Sequence, residues 1–465
     1  MVCSNKINIS ITIIVTLLLL LFSSSVQTAT ETNDKQLAID NIVQAYEDVY
    51  GFSGTIKVVS NTTSIIEKSY GKADRAENTL NTPEHRFSIN SISKTFTALA
   101  ILLLVDDGKL SLDKPLEMYL PKITSDWAST VTIEHLVTHT SGLPRESGIQ
   151  PEDNLTFNQQ IDKYVAHQQL LFAPGERHAY SNSGYILLGA VIEHMSGMSY
   201  SEFIYSRIIK PLKLHNTGVY RGLNVVENQA VPYKFTADGI TEVQRSKTIG
   251  DSAGGGMYST VSDLYDYMIS VVNNDLLSSE LRQLPFSKLV KSGNSYQGFG
   301  WTIQQFGTED IYFASGSGYG TKSVVTYSPS TQDAILITSN WGNTPILQML
   351  RDTFMMMRDV EVSLPTKDNL ASIDKFSSWL GLFEFNQTEL TKHLGLNQSV
   401  MKIHTFNEVL FLDDELLAVK SDKKLGLTYT DELTISLNGD KLSIVINDNE
   451  LIGKRLKTKL ETNSE

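Results

Sequence analysis

Apolar and polar residues alternate at period two near both ends of a long central region. "FSGTIKVVS" and "SIIEKSYGKAD" read as a β-hairpin. The same pattern returns between residues 296 and 340, in "GFGWTIQQ", "DIYFAS", "KSVVTYSP" and "AILITSN". Between them, Phe87 to Gly108, "FSINSISKTFTALAILLLVDDG", is apolar around almost its whole circumference and predicts a buried helix. Residues 110–215 read mainly as helices and loops, including "SGYILLGAVIEHMSG". A sheet built from both ends with helices between them predicts an α/β (α+β) fold with non-local pairing. From 370 to 465 the alternation is nearly continuous and predicts a small separate β domain. In its hairpin "LTISLNGDKLSIVI", Leu433, Ile435 and Leu437 face Leu442, Ile444 and Ile446 across Asn438-Gly439.

Composition narrows the function. The 465 residues carry a formal charge of -13, and no basic run is dense enough to track phosphates, so nucleic acid is not an expected partner. At the N-terminus, Lys6, the apolar run Ile11 to Phe22 and the small residues of "SSSVQTAT" read as an export signal over 1–28. The run is short of the ~20 residues that span a bilayer. A secreted or periplasmic protein with no membrane span after cleavage is expected, an uncleaved anchor being the alternative. The single cysteine, Cys3, precedes the run, so cleavage would leave no thiol for catalysis or bridging.

Against that background, Ser91 and Lys94 are out of place at the start of an apolar helix. Ser-x-x-Lys occurs six times in the chain, but only this copy opens a long apolar helix. Residues three apart share a face, which sets the Ser91 hydroxyl beside the Lys94 amine. Desolvation favours the neutral amine, able to accept the serine proton. The bland reading is a lysine that snorkels to the surface. Among 19 tyrosines, only Tyr180-Ser181-Asn182 fits Tyr-x-Asn, in a loop just before a helix. A phenol there can relay protons, and the Asn182 amide can bond both Lys94 and a substrate carbonyl.

Ser91-x-x-Lys94, Tyr180-x-Asn182 and the Gly-rich strand "FASGSGYGTKS" together resemble the serine beta-lactamase-related superfamily, in its class C beta-lactamase, D,D-peptidase and esterase branch. "LVTHTSGLP", "PLKLHNTG" and "AGGGMYSTVSDLYDYM" are also typical of that branch, and the similarity covers roughly residues 40 to 345. The resemblance implies a beta-lactamase/transpeptidase-like fold: a mainly antiparallel sheet flanked by helices, with a helical subdomain. The corresponding domain would span 35–365, ahead of the β domain at 370–465. Ser91 would be the acylated nucleophile, Lys94 its activating base and Tyr180 the proton shuttle. Asn182 would position Lys94 and substrate. The third motif falls on Ala314-Ser315-Gly316, and the N–H groups of Ser91 and Ser317 would form the oxyanion hole.

Ala314 departs from the Lys or His usual in that motif, which removes a cation for a substrate carboxylate. Lys322, eight residues on, could compensate if the strand bends. Two other motifs compete. Gly250-Asp251-Ser252-Ala253-Gly254 fits a nucleophile elbow, but "EVQRSKTI" is a poor preceding strand, and only His393 or His404 could follow. His135 and His139 lie four apart, yet Leu136 stands where a zinc protease needs Glu, and His139 is better read as a structural hydrogen bonder.

The sequence therefore predicts an exported serine hydrolase acting through an acyl-enzyme on a small-molecule or peptide substrate, an ester or amide, with no metal or cofactor implied. A true beta-lactamase or D-Ala-D-Ala carboxypeptidase, and a non-catalytic binding protein on the same fold, are the alternatives. Oligomeric state is left open.

Overall fold

A computed structural model describes residues 32–456, apart from 147, 151, 225, 237, 238, 249–251, 319, 395, 397, 429–432, 447 and 448. The export signal predicted over 1–28 lies outside the described residues. Among those described, no helix is long and apolar enough to cross a membrane.

The two ends of the central region do meet in one sheet. Its strands are β1 (Gly54–Ser60), β2 (Thr63–Tyr70), β3 (Val290–Ser292), β4 (Ser295–Gln297), β5 (Thr302–Phe306), β6 (Glu309–Gly318), β7 (Thr321–Ser328) and β8 (Asp333–Ser339). They run in the order β3-β4-β5-β6-β7-β8-β1-β2, every pair antiparallel. Val58 of β1 pairs with Ile335 of β8, a contact across most of the chain.

Period-two alternation divides the sheet between two cores. Ile335 and Ile337 of β8 pack with helix α1 (32–50), while Ala334 and Leu336 face the other way. There they meet α2 (Ser93–Asp106), in which every residue from Ser93 to Leu104 is buried. α3 (Asn182–Ser196) crosses against α2 in the same core. It starts on a Ser181 cap, whose hydroxyl accepts from Gly184 N–H, and ends at Gly197 with φ 71°. Gly189 of α3 is obligatory, since a Cβ there would lie 2.4 Å from the Phe157 ring. α4 (Ile346–Met357) completes the α1 side.

The tail forms a closed barrel of eight strands, from Gly381–Glu384 to Asn449–Arg455, with a hydrophobic core of its own. Its predicted hairpin has the expected register: Leu433 opposite Ile446, Ile435 opposite Ile444, Leu437 opposite Leu442. The turn itself is one residue later than the sequence suggested. Asn438 pairs with Lys441, so the loop is Gly439-Asp440, with Gly439 at φ 58°. Glycine as first loop residue is what a type II′ turn requires.

Candidate active site

Ser91 does not belong to α2 proper, as the sequence implied, but to a 3₁₀ turn, Asn90–Ile92, that runs into it. Ile92 N–H donates to Ile89 O at 3.1 Å, the tighter i to i+3 closure. Asn90 holds a left-handed φ of 45°. Its Nδ2 donates to Thr321 Oγ1 at 2.8 Å, and that hydroxyl donates to Gly318 O at 2.8 Å. The serine turn is thus clamped to the β6–β7 hairpin. Gly316 makes the same junction tighter, because a Cβ there would sit 2.1 Å from Ile89 O.

Lys94 is buried, and its Nζ lies 3.4 Å from Ser91 Oγ. It donates to Asn182 Oδ1 at 3.0 Å and to Gly254 O at 2.7 Å. The rings of Tyr180 and Tyr185 lie 4.9 and 5.1 Å from it, centroid to nitrogen. Tyr180 OH donates to Ser91 Oγ at 2.8 Å. Residues 89 positions apart in sequence therefore share one hydrogen bond.

The loop that presents Tyr180 is fastened by His139. This buried residue, at φ 57°, stacks on the Tyr180 ring with centroids 4.4 Å apart. Its Nδ1 accepts from Ser181 N–H at 3.1 Å, and its carbonyl accepts from Ala179 N–H. Burial first, then the positive charge of Lys94, holds His139 well below the usual histidine range, so the ring is neutral. The structural role expected of His139 is what it performs. His135 is occupied elsewhere: its Nδ1 accepts from Thr132 N–H in a helix cap.

A cleft of about 240 Å³ opens over this cluster. Ser91, Asn182, Ser252, Gly254 and Ser317 line it, with Glu146 as the charged side chain among the described lining residues. The larger groove nearby, about 630 Å³, is lined by none of the predicted site residues. The third motif divides. Ser317 borders the cleft, whereas Ala314 packs into the core below it, and Gly316 serves the close approach to Ile89. Ser315 pairs with Val324, which packs on the α1 side of the sheet, so its side chain points away from the serine turn. Lys322 does not supply the missing cation, because it lies on the same face of the sheet as Val324 and does not line the cleft. It stands directly opposite Ser317 in register and donates to Ser317 Oγ at 2.7 Å.

The elbow reading of Ser252 finds no support in its surroundings. Gly250 and Asp251 lie outside the described residues, and 243–246 form no strand. His404 bonds Asp413 O within the barrel, and His393 pairs with Glu389. Ser252 and Gly254 instead line the cleft, and the Gly254 carbonyl accepts from Lys94. Sequence reasoning did not single out Asn90 or Thr321, and it met Gly254 only as part of the elbow motif. Two of these act through backbone conformation or carbonyl, which no side-chain pattern encodes.

Residues 39–352 match the family described as Beta-lactamase. The chain belongs to that family. It is 29% identical over 291 residues to penicillin-binding protein 4* of Bacillus subtilis (strain 168), covering 58% of this chain and 64% of that protein. The chain thus spans less than two thirds of that relative's length. Among solved structures, a penicillin binding protein from Bacillus halodurans superposes with a TM-score of 0.60 at 26% identity, covering 68% of this chain and 98% of that one. The octameric penicillin-binding protein homologue from Pyrococcus abyssi shares the fold over 89% of this chain and 99% of its own, with a TM-score of 0.64 at 23% identity. That likeness reaches well beyond the family match, into the barrel.

Proposed function

We propose that this beta-lactamase family member is an exported serine hydrolase that cleaves esters or amides by acyl transfer. One observation carries the reading: Ser91 Oγ lies between Tyr180 OH at 2.8 Å and Lys94 Nζ at 3.4 Å, on the floor of a cleft. Once Lys94 has given up a proton, two N–H groups serve Asn182 Oδ1 and Gly254 O, and a lone pair is left for the Ser91 proton. Ser91 Oγ then attacks the substrate carbonyl carbon, and the resulting oxyanion is held by the N–H groups of Ser91 and Ser317. Collapse breaks the bond to the leaving group, which takes its proton from Lys94 by way of Tyr180. Water, giving a proton to the same pair, releases the acyl group and restores Ser91.

Ala314 places no cation over the cleft, so a substrate carboxylate lacks the partner it has elsewhere in the superfamily. Short-chain p-nitrophenyl esters are therefore expected to be turned over faster than the beta-lactam nitrocefin. The roles are tested with a fluorophosphonate probe, which labels only an activated serine. Wild type and Ser252→Ala should label, and Ser91→Ala should not. Labelling that survives Ser91→Ala overturns the assignment, and a wild type that never labels favours a binding protein on this fold.

A further inference from the structure

The groove of about 630 Å³ shares no lining residue with the serine cleft, and the acyl-transfer chemistry does not use it. The two lie on neighbouring segments. From Arg86 in the groove the chain runs through a short strand, Phe87–Ser88, to Ser91 at the cleft. That strand pairs with Met257–Ser259, whose Tyr258 also lines the groove.

The charge of the groove is the reverse of the chain's. Asp and Glu outnumber Lys and Arg by 52 to 39 overall. Among the described lining residues, Arg86, Lys210, Lys213 and Arg221, with His215 beside them, face the carboxylate of Glu227. Lys210 and Lys213 form no ion pair among the described residues. Arg86 is half-buried, and its hydrogen-bond partners are neutral. Its Nε and Nη2 donate to Asn216 Oδ1 at 3.4 and 3.1 Å, and its Nη1 donates to Glu227 O at 3.2 Å. A guanidinium has five N–H groups, so one is left over on each terminal nitrogen. Asp263 stands within electrostatic reach of Arg86, but its Oδ2 already accepts from Asn216 N–H at 2.7 Å and Thr217 Oγ1 at 2.8 Å. Glu202, which feels Arg221, is likewise engaged in a helix cap at Ser199.

Tyr258 adds a hydroxyl that has no hydrogen-bond partner among the described residues. Gly218 makes room for it, since a Cβ there would lie 2.3 Å from Tyr258 OH. The Arg86 guanidinium is 6.0 Å from the Tyr258 ring centroid, so the two donors are neighbours. Another wall is irregular helix. The helix Tyr200–Ile204 passes into a π turn, Tyr205–Ile209, and Lys213 then holds a left-handed φ of 57°. Widened turns of this kind recur at functional sites. Here Tyr205, Lys210 and Lys213 all line the groove, and the Tyr205 ring is 57% exposed.

We propose that this groove binds a phosphate monoester that carries a planar ring: Arg86, Tyr258 and the two lysines hold the phosphate, and Tyr205 takes the ring. A carboxylate offers one charge on two oxygens. A phosphate monoester offers about −1.5 to −2 charge and three acceptor oxygens, which answers the excess of cations and donors more fully. The volume is in the usual range of about 300–1,000 Å³ for small-molecule sites, more than a phosphate alone would fill. The site stands apart from the hydrolase reading and does not depend on it.

Phenyl phosphate is the probe, titrated calorimetrically into the full chain at low salt, with benzoate and inorganic phosphate for comparison. Phenyl phosphate should bind wild type and Ser91→Ala alike, and benzoate should bind at least about tenfold more weakly. Tyr258→Phe removes only the unpartnered hydroxyl and should weaken phenyl phosphate about tenfold, the scale of one hydrogen bond to a charged group. Tyr205→Ala should bring phenyl phosphate down to the affinity of inorganic phosphate. Lys210→Met with Lys213→Met, both at exposed positions, should cost at least about tenfold. Lys424→Met with Lys441→Met, which removes the same charge from exposed barrel positions, should cost little. Absence of binding to wild type, equal affinity for benzoate, or equal losses in the two double variants overturns the proposal. So does weaker binding to Ser91→Ala, which would put the probe in the cleft. Ester turnover enters none of these readouts, so the hydrolase reading stands or falls separately.

Discussion

The serine cleft and the C-terminal barrel obey local rules to different degrees. In the barrel, inward residues such as Ile403, Leu417, Ile435, Leu442 and Ile444 are buried and apolar, and the hairpin strands Leu433–Asn438 and Lys441–Ile446 alternate as their register demands. At the cleft, rules are broken together. A lysine amine is buried, Asn90 and His139 hold positive φ, and at Gly316 a Cβ would collide with Ile89 O. A buried amine, unlike a buried isoleucine, requires specific partners at specific distances. Consistency across levels marks the part of a chain selected only to fold, and its local failure marks the part that does chemistry.

That contrast can be attacked from both sides, beginning with the largest effect. Tyr180→Phe keeps the ring that stacks on His139 but removes the hydroxyl from Ser91. Ester turnover should fall by about 10²–10⁴, the usual scale of a proton relay, with little change in the unfolding midpoint. A large loss of stability with modest loss of rate would place Tyr180 among the structural residues instead. Ile435→Ala, at a fully buried barrel position, should cost about 2–5 kcal/mol in unfolding free energy. Because the barrel core is distinct from the two others, fluorophosphonate labelling of Ser91 should outlast barrel melting as temperature rises. Joint loss of both signals would show one cooperative unit. The smallest change is Gly439→Ala. A Cβ there meets nothing within 4 Å, so only the φ of 58° resists it, and about 1 kcal/mol is expected from chemical denaturation. A neutral result would mean that the turn relaxes into another type.

Much of the architecture was legible because it rests on periodicity. Alternation located β1, β2, β5 to β8 and the tail hairpin, and the uniformly apolar Phe87–Gly108 located the central helix. The Asn438-Gly439 turn was misplaced by one residue for a physical reason. Alternation fixes which side chains face each other, while the choice of loop residues depends on which backbone pair carries the last hydrogen bonds. At the cleft, Ser91, Lys94, Tyr180 and Asn182 were legible as residue types at motif spacing. Lys322 was noticed, but its route to Ser317 was not, because cross-strand register between β6 and β7 is a property of the pair.

By itself the sequence determined the helix, six strands of the main sheet, the tail hairpin and the identity of the polar groups that break the apolar pattern. Those features are local, written in runs of a few to twenty residues. The tertiary structure decided that Tyr180 meets Ser91, that the Gly254 carbonyl accepts a hydrogen bond from Lys94, and that Glu415 of the barrel stands within electrostatic reach of Lys322. Each of these joins groups far apart in the chain. Hydrogen bonds and charge interactions fall away over a few ångströms, so only the packed fold could make those pairs interact.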